Sequence, residues 1–395
     1  MKKNKLFKIL AVVLVVITTA LITRFLTVQT LLGSGTNYTK MVFLEKYVRE
    51  NFLYNKNIKD EDFETGKLKG LVAGLNDPYS QYLTKEELNS LNEQTSGRFH
   101  GIGVLISPAE DGTVTVISPL KGSPAERAGL EAGDKILKID GEDFSSEKIN
   151  EASKAIRGKV GTEVNLLILK KDTNETKEIK VKREEVKMDS IISDKIGEYG
   201  YIGIIMFDEE TGKDFETALN KLTSENVKGI ILDLRGNPGG VIDGAVQIGD
   251  AILPESTFVT LKNNKDEIVE EYKLDSKYNN INMVVLVNEG SASASEILSG
   301  AIKDLKRAPI VGQKTFGKGI VQTVSKLPGG DGIKLTTAEY FTPSGKSIHK
   351  LGIEPDYKVE IPKDVKGIGI EYQDTDTQLQ KALQILKENA GNKAE

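Results

Sequence analysis

Residues 283–297 have the sequence MVVLVNEGSASASEI. The first five, Met283–Val287, form an uninterrupted apolar run, which predicts a strand that is buried on both faces. Small and polar residues follow directly, and the pattern then changes to that of a helix. In open α/β sheets, a turn at the carboxyl end of a strand borders the ligand crevice. We therefore expect an α/β domain with a functional site at this turn.

A second strand of the same kind lies earlier in the chain. Gly229–Leu234 is a predicted buried strand that runs into the turn Arg235–Gly240, RGNPGG, before a further helix. Tyr201–Phe207 and Lys213–Thr223 predict another strand and another helix. This alternation is typical of an α/β domain, which we place at residues 187–362.

Three serines, Ser291, Ser293 and Ser295, lie in the turn after Met283–Val287. A serine at a strand-to-helix junction can project its hydroxyl while neighbouring backbone N–H groups point at a developing oxyanion, as acyl transfer requires. The alternative is that these serines only cap the helix, which serine does well. The stretch lacks the Gly-x-Ser-x-Gly pattern of the α/β-hydrolase elbow, so the mechanism of that fold is not indicated.

A single lysine, Lys318, stands between glycines in residues 315–322, TFGKGIVQ. If this lysine is buried, the loss of hydration lowers its pKa, and the neutral amine can then take a proton from a serine. Gln322, four residues on, could hold that amine in place. A solvated loop lysine is the alternative. A lysine base needs no histidine, which suits a chain that contains only His100 and His349.

The composition excludes several other chemistries. Because none of the 395 residues is cysteine, a cysteine nucleophile, a disulfide framework and a thiolate zinc site are ruled out. Two histidines far apart in sequence argue against an imidazole-rich metal centre, and we expect neither a metal nor a cofactor. The formal net charge is −5, and the charged residues are interspersed in sign, so we exclude nucleic acid as the main partner.

Residues 97–186 predict a β-rich unit of short strands and glycine turns. Within it, residues 123–141, SPAERAGLEAGDKILKIDG, resemble a PDZ domain. In PDZ domains a glycine-flanked loop presents backbone N–H groups to the terminal carboxylate of a peptide, and the peptide pairs with the sheet edge. Gly101, Ile102 and Gly103 match that loop by position. The alternative is a glycine-rich hairpin entrance that binds no ligand.

The N-terminus predicts export. Met1–Lys5 is basic, and Leu6–Leu26 is apolar apart from Lys8, Arg24 and a few threonines. No clear small-x-small cleavage site follows, so an uncleaved membrane anchor within residues 1–35 is favoured over a removed signal peptide. Basic residues before the span keep the N-terminus inside. We therefore expect a single-pass protein of the cell membrane with its remaining residues extracytoplasmic, or a secreted protein if the segment is cleaved.

Two regions predict helices outside the units already described. In residues 36–96, apolar residues recur at helical spacing, and Thr84 with Glu87 fits a capping box that opens a helix. Residues 363–395 contain another apolar repeat at helical spacing. The predicted order is therefore anchor, helical region, β-rich unit, α/β domain and helical tail.

Several stretches of the chain together resemble the C-terminal processing peptidases, also called tail-specific proteases. They are residues 233–240, 288–297, 315–322, the PDZ-like run and residues 74–80, GLNDPYS. The likeness extends from about Met41 to Leu386 in the order of that family. It implies an N-terminal helical segment, a PDZ domain and an α/β protease core similar to the ClpP/crotonase-like fold.

The resemblance also implies roles for single residues. Ser293 matches the nucleophile of the family, Lys318 its general base and Gln322 the residue that orients this base. The family's oxyanion hole uses the amide after the nucleophile, here Ala294. It also uses a glycine of the Arg-x-Asn-x-Gly-Gly turn, which is Gly239 or Gly240 here.

The function implied is that of a membrane-anchored, extracytoplasmic serine endopeptidase. It would cleave the C-terminal tails of exported or membrane proteins, and its PDZ domain would capture the tail or gate the site. Helices near both termini make a homodimer plausible. Two other classes stay open, a non-catalytic scaffold that binds peptides and a serine hydrolase of non-peptide esters, although the latter leaves the PDZ-like run unexplained.

Overall fold

The computed structural model describes residues 2–32, 35–54, 56, 58–275, 279–362 and 365–391; for residues 2–10, 28–32, 35, 36, 390 and 391 it describes only the backbone. Met1 and residues 33 and 34 of the predicted anchor segment lie outside the described residues, as do residues 363, 364 and 392–395 of the predicted tail. The chain divides into two compact units, Met1–Asn76 and Asp77–Glu395.

The first unit is helical. Its helices are α1 (Lys2–Leu32), α2 (Gly35–Asn51) and α3 (Asp60–Ala73). Lys67 on α3 lies 2.8 Å from Glu45 on α2, and this ion pair joins the two helices. The predicted N-terminal helical segment is thereby confirmed. Within the described part of the chain, no helix is both long and apolar enough to cross a membrane.

The second unit contains the other helices and the strands of the described residues. Its helices are α4 (Lys85–Ser96), α5 (Pro124–Arg127), α6 (Ile149–Ile156), α7 (Thr211–Ser224), α8 (Ile242–Ile252), α9 (Ala294–Asp304) and α10 (Thr377–Gly391). Its first strands are β1 (Gln81–Leu83), β2 (Arg98–Gly101), β3 (Val104–Pro108), β4 (Val114–Pro119), β5 (Lys135–Ile139), β6 (Glu142–Asp143), β7 (Glu163–Leu169), β8 (Thr176–Lys182) and β9 (Glu184–Lys187). The strands that follow are β10 (Ile191–Ile196), β11 (Tyr199–Ile204), β12 (Ile230–Asp233), β13 (Ser256–Lys262), β14 (Ile268–Leu274), β15 (Met283–Val287), β16 (Ile310–Gly312), β17 (Ile320–Lys326), β18 (Gly332–Phe341) and β19 (Tyr357–Lys358).

The β-rich unit forms its own sheet, in the order β3-β4-β5-β7-β8, with β6 paired to β5. Ser123 caps α5 as its sequence suggests, because the Ser123 hydroxyl accepts the N–H of Glu126 at 3.2 Å. Ile102, Ile136 and Ile168 are fully buried in the core of this sheet. β3 is an edge strand that pairs only with β4 in the described sheet, so its outer edge is open.

The α/β domain is built on a six-stranded sheet in the order β10-β11-β12-β15-β16-β19. From β11 to β19 the strands run parallel. Side chains alternate between the faces, so Val285 packs towards α7, α8 and α9, while Val284 and Leu286 pack against α10. Both faces are covered, which explains why β15 is apolar at every position. The predicted C-terminal helix therefore packs on this sheet.

The parallel order brings two turns together. β12 and β15 are neighbours in the sheet, so the turn after Asp233 and the turn after Val287 meet at the same edge. A second, antiparallel sheet supplies the other side of this region, with the order β1-β18-β13-β14 and with β17 paired to β18. The crevice predicted at the carboxyl ends of the strands thus lies between two sheets.

The residues just before α4 differ from the predicted helical structure. The predicted capping box is confirmed, because the Thr84 N–H donates to Glu87 at 2.8 Å and the Glu87 N–H donates back to the Thr84 hydroxyl at 3.3 Å. Gln81–Leu83, however, is not helical; it forms β1 and pairs antiparallel with β18. A strand whose partner lies about 250 residues away has no local signal, and this pairing places residues 77–96 in the second unit.

Candidate active site

Ser293 occupies the junction between β15 and α9. Its backbone has φ 52° and ψ −115°, and a positive φ is strained for a residue with a side chain. Ser293 is half-buried and lines a cavity of about 390 Å³. Ser291 and Ser295 are fully buried. Of the three serines in this turn, Ser293 is therefore the one whose side chain borders the cavity.

The two buried serines hold the neighbouring turn. The Ser291 hydroxyl donates to the Leu234 carbonyl at 2.7 Å, and the Ser295 hydroxyl donates to the Asn237 carbonyl at 3.1 Å. The Ala292 N–H also donates to the Asn237 carbonyl, at 3.0 Å. These bonds fasten the RGNPGG turn to the start of α9, so the two turns form one rigid edge.

Gly239 and Gly240 differ in what their amides can do. The Gly239 N–H donates to Asn237 Oδ1 at 2.8 Å, whereas none of the hydrogen bonds of the described residues uses the N–H of Gly240, which lines the cavity. A Cβ at Gly239 would lie 2.7 Å from the Ala292 carbonyl oxygen, so this close approach requires glycine. Ala294 is the first residue of α9, and its N–H has no intrahelical acceptor. The N–H groups of Ala294 and Gly240 can thus donate hydrogen bonds to an oxyanion.

Arg235 supports the same turn from behind. Its buried guanidinium lies 2.6 Å from Asp233 and 2.7 Å from Asp376, and it donates to Gln378 Oε1 at 3.0 Å. Asp376 directly precedes α10, and Gln378 lies in its first turn. The C-terminal helix is therefore tied to the turn that carries Gly240.

Lys318 lies in the loop between β16 and β17 and lines the same cavity. Burial lowers the pKa of Lys318 below its ordinary value, and the ammonium of Lys334 acts in the same direction. The carboxylates of Glu296 and Asp77 oppose this shift in pKa. The Nζ atom of Lys318 lies 5.0 Å from the centre of the Tyr79 ring. The lowered pKa eases formation of the neutral amine, which is the form that a general base requires.

Gln322 also lines the cavity, but it does not contact Lys318 through a hydrogen bond. Its Nε2 donates to Thr336 Oγ1 at 3.3 Å. A register shift between Val321 and Gln322 turns the strand at this point, and Lys318 lies before the strand rather than in it, so the expected four-residue spacing does not apply. Nor do the hydrogen bonds of the described residues join Lys318 Nζ to the Ser293 hydroxyl, although both side chains line the cavity.

One buried carboxylate links the two loops that carry Ser293 and Lys318. Glu296 Oε2 accepts the N–H of Ser293 at 3.1 Å and the N–H of Lys318 at 2.8 Å. Its Oε1 accepts the Thr315 hydroxyl and the Gly317 N–H, both at 2.6 Å. All four partners are donors, so the carboxylate is fully used.

Tyr340 links the same two loops through their carbonyl groups. Its single hydroxyl proton is shared between the Ser293 carbonyl, at 3.2 Å, and the Lys318 carbonyl. Burial raises the pKa of Tyr340, which keeps the hydroxyl protonated and able to donate. Glu296 and Tyr340 together fix the backbone of both residues.

Comparison with known proteins identifies the family. The sequence pattern of peptidase family S41 matches residues 198–359, and that of the PDZ domain matches residues 115–170. A CtpA-like serine protease of Staphylococcus aureus (strain N315) is 39% identical over 361 residues, which cover 88% of this chain and 72% of that protein. The chain belongs to peptidase family S41.

A further relative supports this assignment, and a solved structure supports the fold. The carboxy-terminal processing protease CtpA of Bacillus subtilis (strain 168) is 37% identical over 327 residues, covering 82% of this S41 chain and 69% of CtpA. A crystal structure of an S41 protease from Bacteroides fragilis NCTC 9343 covers 88% of this chain and 97% of that one, with a TM-score of 0.52 and 16% identity, and so supports the fold. The resemblance, the fold class and a serine-type peptidase of the carboxy-terminal processing family are thereby confirmed.

The predicted peptide-binding loop lies between β2 and β3 of the PDZ domain. Gly101 ends β2, Ile102 is fully buried, and Gly103 has φ 72°. The carbonyls of Ile102 and Gly103 accept the N–H groups of Ala125 and Leu120, at 2.8 and 2.9 Å. In the described hydrogen bonds the N–H groups of Ile102 and Gly103 have no partner.

Four residues of this S41 site were not predicted from the sequence: Tyr79, Glu296, Lys334 and Tyr340. Only Glu296 had a local signal, because Ser293 and Glu296 have the same spacing as the capping box that was recognised at Thr84. The others reach the site through pairing of distant strands, which no short pattern predicts.

Lys334 provides a test of the pKa argument. Because its ammonium disfavours a second ammonium nearby, Lys334→Gln should raise the pKa of Lys318 and move the acid limb of the pH–rate profile to higher pH. At a fixed pH on that limb, we expect a loss of about threefold to tenfold, since each pKa unit changes the neutral fraction about tenfold there.

The profile of kcat/KM against pH would show this shift. Lys334→Arg should retain the wild-type profile, and Lys326→Gln, an exposed lysine on β17, serves as the matched control. An unshifted acid limb in Lys334→Gln would contradict the assignment of Lys318 as the titrating base.

Proposed function

We propose that this S41 peptidase cleaves peptide bonds with Ser293 as nucleophile and Lys318 as general base. The observation that carries the proposal is the shared cavity, in which the half-buried Ser293 and the lysine of lowered pKa lie beside the free amide of Gly240. Gln322 shares this cavity, and we propose that it helps to orient the Lys318 amine in the substrate complex.

The proposed reaction proceeds in two halves. The Ser293 Oγ attacks the peptide carbonyl carbon while its proton passes to neutral Lys318, and the oxyanion accepts hydrogen bonds from the N–H groups of Ala294 and Gly240. The C–N bond then breaks, Lys318 returns the proton to the leaving amine, and an acyl-enzyme forms. Water attacks this ester while Lys318 accepts a proton, and the proton returns to Ser293 as the acid product leaves.

We further propose that the PDZ domain captures the C-terminus of the substrate. The free N–H groups of Ile102 and Gly103 suit a terminal carboxylate, and the open edge of β3 suits an extended peptide that adds a strand. The substrates would then be proteins with unstructured tails. Capture would hold the tail near the S41 domain and raise its local concentration there.

Cleavage of a model substrate tests this proposal. A folded protein with an unstructured, apolar-ended tail should be cut within the tail by the purified full-length chain, as seen by mass spectrometry of the products. Amidation of the tail should raise KM about tenfold or more, because a charge-assisted hydrogen bond is lost, and should leave kcat nearly unchanged. Tail binding without cleavage would favour a non-catalytic scaffold, and turnover of esters alone would favour an esterase.

We also propose that the N-terminal segment anchors the peptidase, with its S41 domain outside the cell. Lysines precede the apolar run Leu6–Leu26, and apolar side chains of α1 such as Leu14 and Phe25 are exposed. Removal of this segment and secretion is the alternative. If the anchor is correct, the full-length chain stays in the membrane pellet after alkaline extraction, whereas release into the supernatant contradicts it.

The predicted homodimer is retained as a proposal. Phe43, Leu44 and Tyr47 on α2 are exposed, and an apolar helix face of this kind suits a second copy. Light scattering of the detergent-solubilised chain should give the mass of a dimer; the mass of a monomer would contradict this proposal.

A further inference from the structure

The turn Asp77–Ser80 brings an aromatic ring to Lys318. The Lys318 Nζ lies 5.0 Å from the centre of the Tyr79 ring, within the range of a cation–π contact. Such a contact binds an ammonium, not a neutral amine. The ring therefore acts on the protonated form of Lys318, which arises when it takes a proton.

Hydrogen bonds to the Asp77 carboxylate hold this turn in one conformation. Asp77 Oδ1 accepts the Tyr79 N–H at 3.1 Å, and Asp77 Oδ2 accepts the Ser80 hydroxyl at 2.6 Å. Asp77 and Ser80 are also hydrogen-bonded to Thr336 of β18. Thr336 donates its hydroxyl to Asp77 Oδ2 at 2.7 Å and its N–H to the Ser80 hydroxyl oxygen at 3.0 Å. β1 begins directly after the turn and pairs with the same strand. The backbone that carries the Tyr79 ring is therefore fixed in position.

The same network reaches the second polar side chain of the cavity. Thr336 Oγ1 donates to Asp77 and accepts the Nε2 of Gln322 at 3.3 Å. A chain of hydrogen bonds therefore runs from Asp77 through Thr336 to Gln322. The turn touches Lys318 through the ring and Gln322 through Thr336.

We infer that Tyr79 is a positioning residue for the Ser-Lys reaction: its ring face holds the Lys318 ammonium, and Asp77 fixes that ring and, through Thr336, Gln322. The inference rests on the proposed function. When Ser293 attacks, its O–H bond breaks, its electron pair enters the new C–O bond, and the proton forms an N–H bond on Lys318. The ring stabilises the resulting ammonium until the proton passes to the leaving amine.

Other charged and titratable groups also act on Lys318, so the effect of the ring must be separated from theirs. Glu296 of α9, Asp77 of the turn and Lys334 of β18 act on the charge of Lys318. Tyr340 of β18, Asp243 of α8 and Tyr272 of β14 line the same cavity. None of these is altered by a change in the Tyr79 side chain alone. Because the ring favours the ammonium, its removal should lower the pKa of Lys318, the opposite of the effect expected for Lys334→Gln.

The test compares Tyr79→Leu and Tyr79→Phe in the full-length chain, with kcat and KM measured for a tail substrate across pH. Tyr79→Leu should lower the kcat plateau by about 2- to 30-fold and move the acid limb to lower pH, with KM nearly unchanged. Tyr79→Phe keeps the ring face and should restore both. Tyr357→Leu is the matched control, because Lys381 Nζ lies 5.4 Å from the centre of the Tyr357 ring, outside the cavity.

A second variant keeps the inference testable if Tyr79→Leu does not fold. Ser80→Ala retains the ring and every charged group but removes the hydrogen bonds of the Ser80 hydroxyl with Asp77 and with the Thr336 N–H. It therefore loosens the turn and should move the acid limb in the same direction. The inference would be overturned if either folded variant kept the acid limb of the wild-type pH–rate profile. It would also be overturned if Tyr79→Leu and Tyr79→Phe lost kcat equally. In both cases the wild-type chain would still turn over its substrate. Absence of turnover in the wild-type chain would instead mean that the proposed function has failed.

Discussion

Replacing Ser293 with alanine is expected to lower the rate of tail cleavage by about 10⁴-fold or more, because the acyl-enzyme can no longer form. Residual activity would come from binding and from the amides of Ala294 and Gly240, which still polarise the carbonyl. Single-turnover cleavage by the purified full-length chain measures the loss. A fluorophosphonate probe should label the wild-type chain on the peptide that contains Ser293, and should not label the variant.

The matched control is Ser299→Ala, the same substitution six residues further along the chain, within α9. The Ser299 hydroxyl is buried and donates to the Ser295 carbonyl at 2.7 Å, so the variant tests a lost helix hydroxyl without touching the cavity. It should cleave at nearly the wild-type rate. Cleavage by a folded Ser293→Ala chain at more than a small fraction of that rate would refute the nucleophile.

Lys318→Ala should be nearly as inactive, but for a different reason. It keeps the nucleophile and removes the proton acceptor, so a small primary amine added to the solution should restore part of the activity. The same amine should not restore Ser293→Ala. Equal rescue of both variants would show that the amine acts elsewhere, and would contradict the division of roles.

The sequence predicted the parts of this fold whose signals are local. β15 has the predicted bounds, Met283–Val287, because burial on both faces requires an apolar residue at every position. The turn after it was found for the same reason, since small residues break the run. The choice of Ser293 among three serines came from family resemblance alone; the structure supplies a physical reason, because the hydroxyls of Ser291 and Ser295 are committed to carbonyl groups.

The rest of the site depends on contacts between distant parts of the chain. Tyr340 meets Ser293 only because β18 crosses beside the loop of Lys318. Tyr79 reaches Lys318 only because β1 pairs with β18. These strands are short or half-exposed, so their residue types carry little information about a partner. The sequence also could not predict whether Gly239 or Gly240 has an unbonded N–H group. That depends on which of the two N–H groups donates to the Asn237 side chain.

Glu296→Gln is expected to lower kcat by about 10²- to 10³-fold and the free energy of unfolding by about 2–4 kcal/mol. The carboxylate accepts four hydrogen bonds, and an amide of the same shape accepts at only one of its two ends. Whichever way the amide turns, its NH₂ faces two donors. Either the Thr315 and Gly317 pair or the Ser293 and Lys318 pair then loses its acceptor.

Loss of kcat should exceed what the loss of stability explains, because the strained φ of Ser293 is kept by the surrounding bonds. Once the Ser293 or Lys318 N–H loses its acceptor, the Ser293 hydroxyl and the Lys318 amine no longer have fixed relative positions. A displacement of about 1 Å can cost about 10²-fold in rate. Measuring kcat well below the melting temperature of the variant separates the two effects. Fluorophosphonate labelling should slow in parallel, since it needs the same geometry.

Glu87→Gln is the control that isolates this role, because Glu87 occupies the same position of a capping box at the start of α4 but is exposed. Its loss should cost only a few tenths of a kcal/mol and should leave kcat unchanged, since water can replace an exposed acceptor. If Glu296→Gln behaved like Glu87→Gln, Glu296 would be no more than a helix cap. A loss of kcat confined to Glu296→Gln would mean instead that one buried carboxylate sets the positions of nucleophile and base together.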